Sequence, residues 1–216
     1  NLAESCANAI GANPLLARVG AYYHDIGKLT RPEYFVENQF GGDNPHDNLA
    51  PSLSSTILIG HVKDGRKLAK EFRLPPAVAD FIHMHHGTSR IDYFYSKALE
   101  QKNGESSSIQ EDDFKYPGPK PNTKETGLLM ICEAVEAAVR SLKNPTLTKI
   151  EAMADKIIEK RLKDGQLDEC PLTMKDLSKM KGDSRSLHGM IPVFRGIYHL
   201  RIEYPDQDKQ SEDTLL

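Results

Sequence analysis

His24 and Asp25 stand side by side in Tyr-Tyr-His-Asp-Ile-Gly-Lys (22–28). A neutral imidazole beside a carboxylate offers two donors that suit a borderline-hard divalent metal. The dipeptide is common by chance, so its weight depends on further donors along the chain. His61, the pair His85-His86 and Glu133 supply them, the last in a helical run of mostly apolar residues (128–138). An acid in such a run is costly to bury unless it is paired or bound to a metal; the plain alternative puts Glu133 and Glu136 on a solvated stripe. These six residues offer enough N and O donors for two divalent ions rather than one. Two ions suit hydrolysis of phosphate esters, because they supply an activated hydroxide and stabilise both the attacking and the leaving oxygen. Lys28 adds a cation that either meets a phosphate or complements the end of a helix.

The elements that must position these donors read as helices nearly throughout, giving an all-α chain. A first helix ends near Gly11. Asn13-Pro14 gives a cap followed by proline at the first helical position. Leu15, Leu16, Val19, Tyr22, Tyr23 and Ile26 then recur at helical spacing, and Gly27 closes the run. Residues 29–50 hold Pro32, Gly41, Gly42 and Pro45 and read as a long ordered loop. Pro51 opens a helix that carries His61, and a separate helix covers 65–72. Pro75-Pro76 start the next, which Gly87 ends. There His85 shares the apolar face of Val78 and Ile82 and points inward, while His83 reads as a surface residue. A buried histidine pair without a metal must satisfy four ring nitrogens. Residues 91–102 are helical. Residues 103–122, with Gly104, a serine run, three prolines and the acidic Glu111-Asp112-Asp113, read as a surface excursion. Helices resume over 123–142 and 146–163, and a short one comes after Pro171. A last segment, 184–203, reads as helix rather than edge strand. His188 and His199 have no partners in sequence and read as structural.

A chain of 216 residues can bury one sizeable core, and a single domain over 1–216 is expected. The net charge of −3 leaves no broad basic face of the kind a nucleic-acid polymer requires. Cys6, Cys132 and Cys170 are too widely spaced for a zinc ribbon or a disulfide framework, which points to a reducing cytosol. No apolar run reaches the roughly 18 residues of a membrane span, and no signal peptide is visible. The chain opens without methionine inside a helical pattern (Leu2, Ala3, Cys6, Ala7, Ile10), as an excised domain would.

With these residues in place, the sequence resembles the HD-domain metal-dependent phosphohydrolases, whose pattern is H…HD…H…HH…D. It is similar in particular to the cytosolic domain of the seven-transmembrane HD (PgpH-type) family, which hydrolyses cyclic di-AMP. The likeness is carried by residues 22–28, by Tyr34-Phe35-Val36-Glu37-Asn38-Gln39, by Asn44-Pro45-His46-Asp47 and by His61-Val62-Lys63-Asp64-Gly65. His85-His86-Gly87-Thr88 and Glu133-Ala134-Val135-Glu136-Ala137-Ala138 complete it. It covers most of 1–142; in the tail, Ser141-Leu142-Lys143-Asn144-Pro145-Thr146 is its sharpest part. The resemblance implies a helical bundle with a metal site at its centre. It makes His24, Asp25, His61, His85 and His86 ligands of two iron or manganese ions, with Asp25 bridging them. Glu133 stands where the family has aspartate, and the family's first histidine falls six residues before Asn1. The implied reaction opens cyclic di-AMP to linear pApA. Lys28, Asn44, His46 and Thr88 are the implied polar contacts of the nucleotide, although His46 also reads as an Asx/Pro-turn residue. Tyr22 and Tyr23 read as adenine-stacking or core residues. The implied setting is the cytoplasmic face of a bacterial membrane, on a parent anchored through segments outside this chain.

Two other functions stay open at this level. One is a nucleotide-sensing HD module impaired in catalysis, motivated by Glu133 and the upstream histidine. The other keeps the hydrolysis but takes cyclic di-GMP or a nucleoside polyphosphate. Gly87-Thr88-Ser89, rather than Gly-Tyr-Pro, after the histidine pair argues against cyclic di-GMP.

Overall fold

Helix α6, Lys124–Arg140, sits at the centre of the fold, and its sequence explains why. Leu128, Met130, Ile131 and Val135 are fully enclosed, so the helix is apolar over most of its circumference. Around it pack α1 (Leu2–Ile10), α2 (Pro14–Tyr23), α4 (Pro76–Met84) and α7 (Leu147–Lys163). They contribute Cys6, Ala7, Ala17, Phe81 and Ile150 to the same core, joined by Met180 and Ile191 from α8 (Met174–Lys181) and α9 (Met190–His199). Each large apolar side chain enclosed this way contributes about 1.5–3 kcal/mol. Helices α3 (Pro51–Glu71) and α5 (Asp92–Gln101) complete the set. The computed structural model describes residues 1–39, 43–102, 104 and 109–199, and among these there are nine α-helices and no strand. No helix among the described residues is long and apolar enough to cross a membrane.

Local chemistry starts and stops these helices as the sequence suggests. Asn13 Oδ1 accepts from the Leu16 N–H ahead of Pro14, and Thr123 and Thr126 form a reciprocal cap on α6. Gly11 closes α1 in the left-handed region at φ 68°. In four places the structure departs from expectation. The helix carrying His61 does not break before 65–72: α3 is continuous over 21 residues, since it holds no proline after its first position. Helix α2 stops at Tyr23, and Ile26–Thr30 forms a 3-10 turn instead of a further helical turn. The loop over 29–50 resolves into 3-10 turns at Pro32–Tyr34, Val36–Asn38 and Pro45–Asn48; Gly41 and Gly42 lie outside the described residues. The segment expected as a surface excursion returns to the interior, because Phe114 and Pro121 are buried. Its serine run lies outside the described residues. The final segment is helical over Met190–His199, with 200–203 and the His199 side chain outside the described residues.

One close approach positions the site. A Cβ on Gly27 would lie 1.8 Å from the His61 carbonyl oxygen and 2.5 Å from the Gly65 nitrogen. The turn after α2 therefore rests directly on the backbone of α3, which only glycine permits. Asp25 and His61 are neighbours because of that contact.

Candidate metal centre

His24 terminates α2, His61 lies in α3, and His85 terminates α4. Each ring is fixed by its own helix. The Nδ1 atoms of His24, His61 and His85 lie 2.8, 2.5 and 3.0 Å from the carbonyl oxygens of Ala21, Leu58 and Phe81. A carbonyl only accepts, so each Nδ1 carries a proton and each Nε2 is left facing inward, where it presents a lone pair whenever the ring is neutral. All three Nε2 atoms face Asp25. His24 Nε2 is 3.2 Å from Oδ2, while His61 and His85 Nε2 are 3.4 and 3.6 Å from Oδ1. The carboxylate thus turns one oxygen to His24 and the other to the second pair. His86 completes the group: His61, His85 and His86 each offer a ring nitrogen within 4.8 Å of the others, a cluster that can hold a metal ion. His86 Nδ1 is 3.7 Å from Glu133 Oε2, which reaches in from α6.

The atoms present fit a divalent cation. His61 and His85 point bare Nε2 atoms at each other across 3.2 Å. Two lone pairs that close repel unless something positive lies beside them. His24 Nε2 and Asp25 Oδ1 are buried without a hydrogen-bond partner, a cost that a metal removes. Burial and the charge of His24 hold His85 down to about 3, and burial with the neighbouring rings holds His86 low as well. These rings stay neutral, the form a metal requires. Burial would push Asp25 up, but a protonated His24 3.2 Å away, followed by Lys28, overcomes it and keeps the carboxyl well below the usual range. Burial and then the Asp25 charge raise Glu133 to about 7. A cation at this point would favour its carboxylate.

Lys28 Nζ lies 2.7 Å from Asp25 Oδ2 and 2.5 Å from Glu37 Oε1, and it remains charged because those two acids outweigh its burial. His24, Asp25, Lys28, Glu37 and Glu133 all line a cleft of about 470 Å³. The other expected nucleotide contacts are elsewhere. Asn44 caps Pro45–Asn48 by accepting from the His46 N–H. His46 is buried between the Tyr34 and Phe94 rings, with Nε2 2.9 Å from the Tyr34 carbonyl. It fills the turn reading rather than lining the cleft. Thr88 is tied to the buried Gln166, whose Oε1 accepts from its N–H and whose Nε2 donates to its hydroxyl. It lines a different cavity, of about 730 Å³. Tyr22 and Tyr23 are surface residues, not core. His83 is half-buried beside Asp80, because the α4 face it occupies packs partly against α3, and His188 is exposed.

Sequence reasoning missed Glu37 and Tyr116 as parts of the site. Glu37 stood in one of the family-like motifs without a role, and an acid amid Phe35 and Val36 was its signal. Tyr116 lies in the segment read as an excursion, yet its ring stacks on His86 at 4.1 Å.

The sequence profile of the HD domain family matches residues 1–138. The chain is 46% identical over 210 residues to the cyclic-di-AMP phosphodiesterase PgpH of Bacillus subtilis, covering 97% of this chain and 28% of that protein. It is 48% identical over 206 residues to the cyclic-di-AMP phosphodiesterase PgpH of Listeria monocytogenes, covering 95% of this chain and 27% of that protein. The chain therefore spans just over a quarter of the length of these relatives. The crystal structure of the L. monocytogenes phosphodiesterase PgpH HD domain in complex with cyclic-di-AMP superposes with a TM-score of 0.85 at 46% identity. That match covers 92% of this chain and 88% of the solved one. A crystal structure of the same HD domain gives 0.83 at the same identity, with 92% and 89% covered.

Proposed function

Because the chain belongs to the HD domain family, we propose that it is a metal-dependent phosphodiesterase that opens cyclic di-AMP to linear pApA. The observation that carries this reading is the convergence of His24, His61 and His85 Nε2 on the two oxygens of Asp25, with buried atoms there that lack partners. His24, Asp25, His61, His85, His86 and Glu133 would hold two divalent ions, iron or manganese, with Asp25 shared between them. Bound ions supply an activated water and neutralise charge that develops on the phosphate. The reaction consumes one water, forms one bond from its oxygen to phosphorus, and releases the 3′ oxygen of one nucleotide. Asp25 uses Oδ2 toward His24 and Oδ1 toward His61 and His85, an arrangement suited to two positions at once. Lys28, fixed by Glu37 at the edge of the cleft, faces the phosphodiester as a compact charge. Glu37 thereby orients the lysine rather than touching the phosphate. The similarity to the PgpH proteins supports adenine as the base and a cyclic dinucleotide as the substrate class. The seven-transmembrane family resemblance supports a parent held at the cytoplasmic face of a bacterial membrane.

The test is to load the chain with manganese, add cyclic di-AMP, and follow pApA by chromatography, with cyclic di-GMP in parallel. Turnover of cyclic di-AMP that stops on chelation and returns with manganese is the expected result. Tight binding of the nucleotide without turnover would overturn the enzyme reading in favour of a sensing module.

A further inference from the structure

Three of the four clustered histidines have a backbone carbonyl that fixes the ring; His86 has none. What holds it instead is an aromatic plane. The Tyr116 ring lies on the His86 ring with centroids 4.1 Å apart and planes 22° apart. Any apolar side chain of similar size would fill space beside His86, but a near-parallel stack calls for a flat ring. Tyr116 also lines the 730 Å³ cavity, which His86 does not.

The ring is delivered by Ser89, which is 6% exposed. The Ser89 N–H donates to the His86 carbonyl at 3.0 Å, and the Tyr116 N–H donates to the Ser89 carbonyl at 3.0 Å. One residue thus ties the turn after His86 to the stretch of chain that carries Tyr116. From the far side, Arg161 Nη1 donates to Ser89 Oγ at 2.8 Å. Arg161 belongs to α7, beyond the part of the chain that the HD profile matches. Its Nε is buried without a partner, so the guanidinium is kept inside for this contact without being saturated there.

We propose that Tyr116 is a positioning residue that fixes the His86 ring toward Glu133 by stacking on it, and that Ser89 and Arg161 hold Tyr116 in that place. The inference rests on the metal-centre reading for its purpose, but the stacking itself is testable without a metal. Tyr116→Leu removes the plane, Tyr116→Phe keeps it, and Arg161→Gln loosens its support should the leucine variant fail to fold. Two measurements apply: manganese affinity from the free-ion electron paramagnetic resonance signal, and the ring 15N signals of His86, which report its tautomer.

Loss of an orienting partner typically weakens metal binding by about 10–100-fold. Tyr116→Leu is expected to do this to one ion while the ion held through His24 keeps its affinity, a selectivity that general destabilisation does not produce. Its His86 15N signals should shift or split. Tyr116→Phe should stay within about threefold of the parent on the same scale, and Arg161→Gln should fall between. Should the parent bind no manganese, the metal reading fails and the His86 signals alone decide: a shift in Tyr116→Leu upholds the positioning role. Unchanged His86 signals in Tyr116→Leu, or unchanged affinity for both ions, overturn the proposal.

Discussion

Gly27→Ala tests the contact that brings Asp25 to His61. The new Cβ would lie 1.8 Å from the His61 carbonyl oxygen and 2.5 Å from the Gly65 nitrogen, and both are backbone atoms that no rotamer change can move. Reaching even 3.0 Å, the edge of real contacts, requires the turn and α3 to part by about 1.2 Å. Overpacking of this kind costs about 1–3 kcal/mol, and in a chain of this size each kcal/mol lowers Tm by roughly 2–4 °C. The chemical effect is larger. The 3.4 Å between Asp25 Oδ1 and His61 Nε2 would open to about 4.6 Å. Two donors that each sit 2.0–2.1 Å from one ion are at most about 4.2 Å apart, so the pair could no longer share it. Gly27→Ala should therefore lose most manganese binding and at least about 100-fold in turnover, with only a modest fall in Tm. Gly60→Ala is the control. It lies in the same helix beside His61, its Cβ would meet nothing within 4 Å, and alanine should add up to about 1 kcal/mol of helix stability. Melting by circular dichroism, manganese titration and pApA chromatography on both variants decide the matter. Parental Tm and metal affinity in Gly27→Ala, or equal losses in both variants, would refute the reasoning.

Three further outcomes are expected from the same geometry. Asp25→Asn should keep the fold but lose both ions and drop turnover by more than the roughly 100-fold that outer partners cost; full activity with bound metal would remove Asp25 from the site. Lys28→Met should move binding and catalysis in opposite directions, since a cation 2.7 Å from Asp25 repels the incoming metal. Manganese affinity measured by chelator competition should rise while turnover falls, and a fall in both would show that Lys28 supports the metal site instead. Glu133 is raised to about 7 in the fold against 4.5 for the free side chain. Its ionisation therefore costs stability that is lost as pH rises from about 4.5 to 7, at about 1.4 kcal/mol per unit at most. In chelator-treated protein the Tm advantage of Glu133→Gln over the parent should grow between pH 5 and 7, and manganese should erase it. A gap that is constant with pH would show that the carboxyl is not held in that state.

Helix existence was legible because α2, α4 and α6 repeat apolar residues at the helical period and carry caps at readable positions, such as Asn13 and Thr123. The residues that the structure brings together at the candidate site were legible for a related reason: His24, Asp25, His61, His85, His86 and Glu133 belong to compact motifs whose order is itself informative. What failed was anything set by contact between distant segments. Ser89 meets Arg161 across 72 positions and Thr88 meets Gln166 across 78, and neither pair leaves a trace in local periodicity. Thr88 therefore read only as a nucleotide contact, with nothing in the sequence to show its bonds to Gln166. Residues 103–122 read as surface because prolines and acids dominate them, and the two aromatic residues that anchor the segment, Phe114 and Tyr116, were outvoted. The continuity of α3 was missed because Gly60 and Gly65 look like breakers in sequence. In the fold, Gly65 is instead the floor on which Gly27 rests.

The imidazole-to-carbonyl contacts at Ala21 and Phe81 have a consequence for exchange kinetics. Those carbonyls lie in the last turns of α2 and α4, where helix ends fray most readily. Each of these two rings is thus tethered to a hydrogen bond that opens when its helix end opens. A bound ion would close those turns from outside, and their amide protons would slow together as metal was added. Release of the ion would in turn be timed by fraying of the two helix ends rather than by the strength of any one donor.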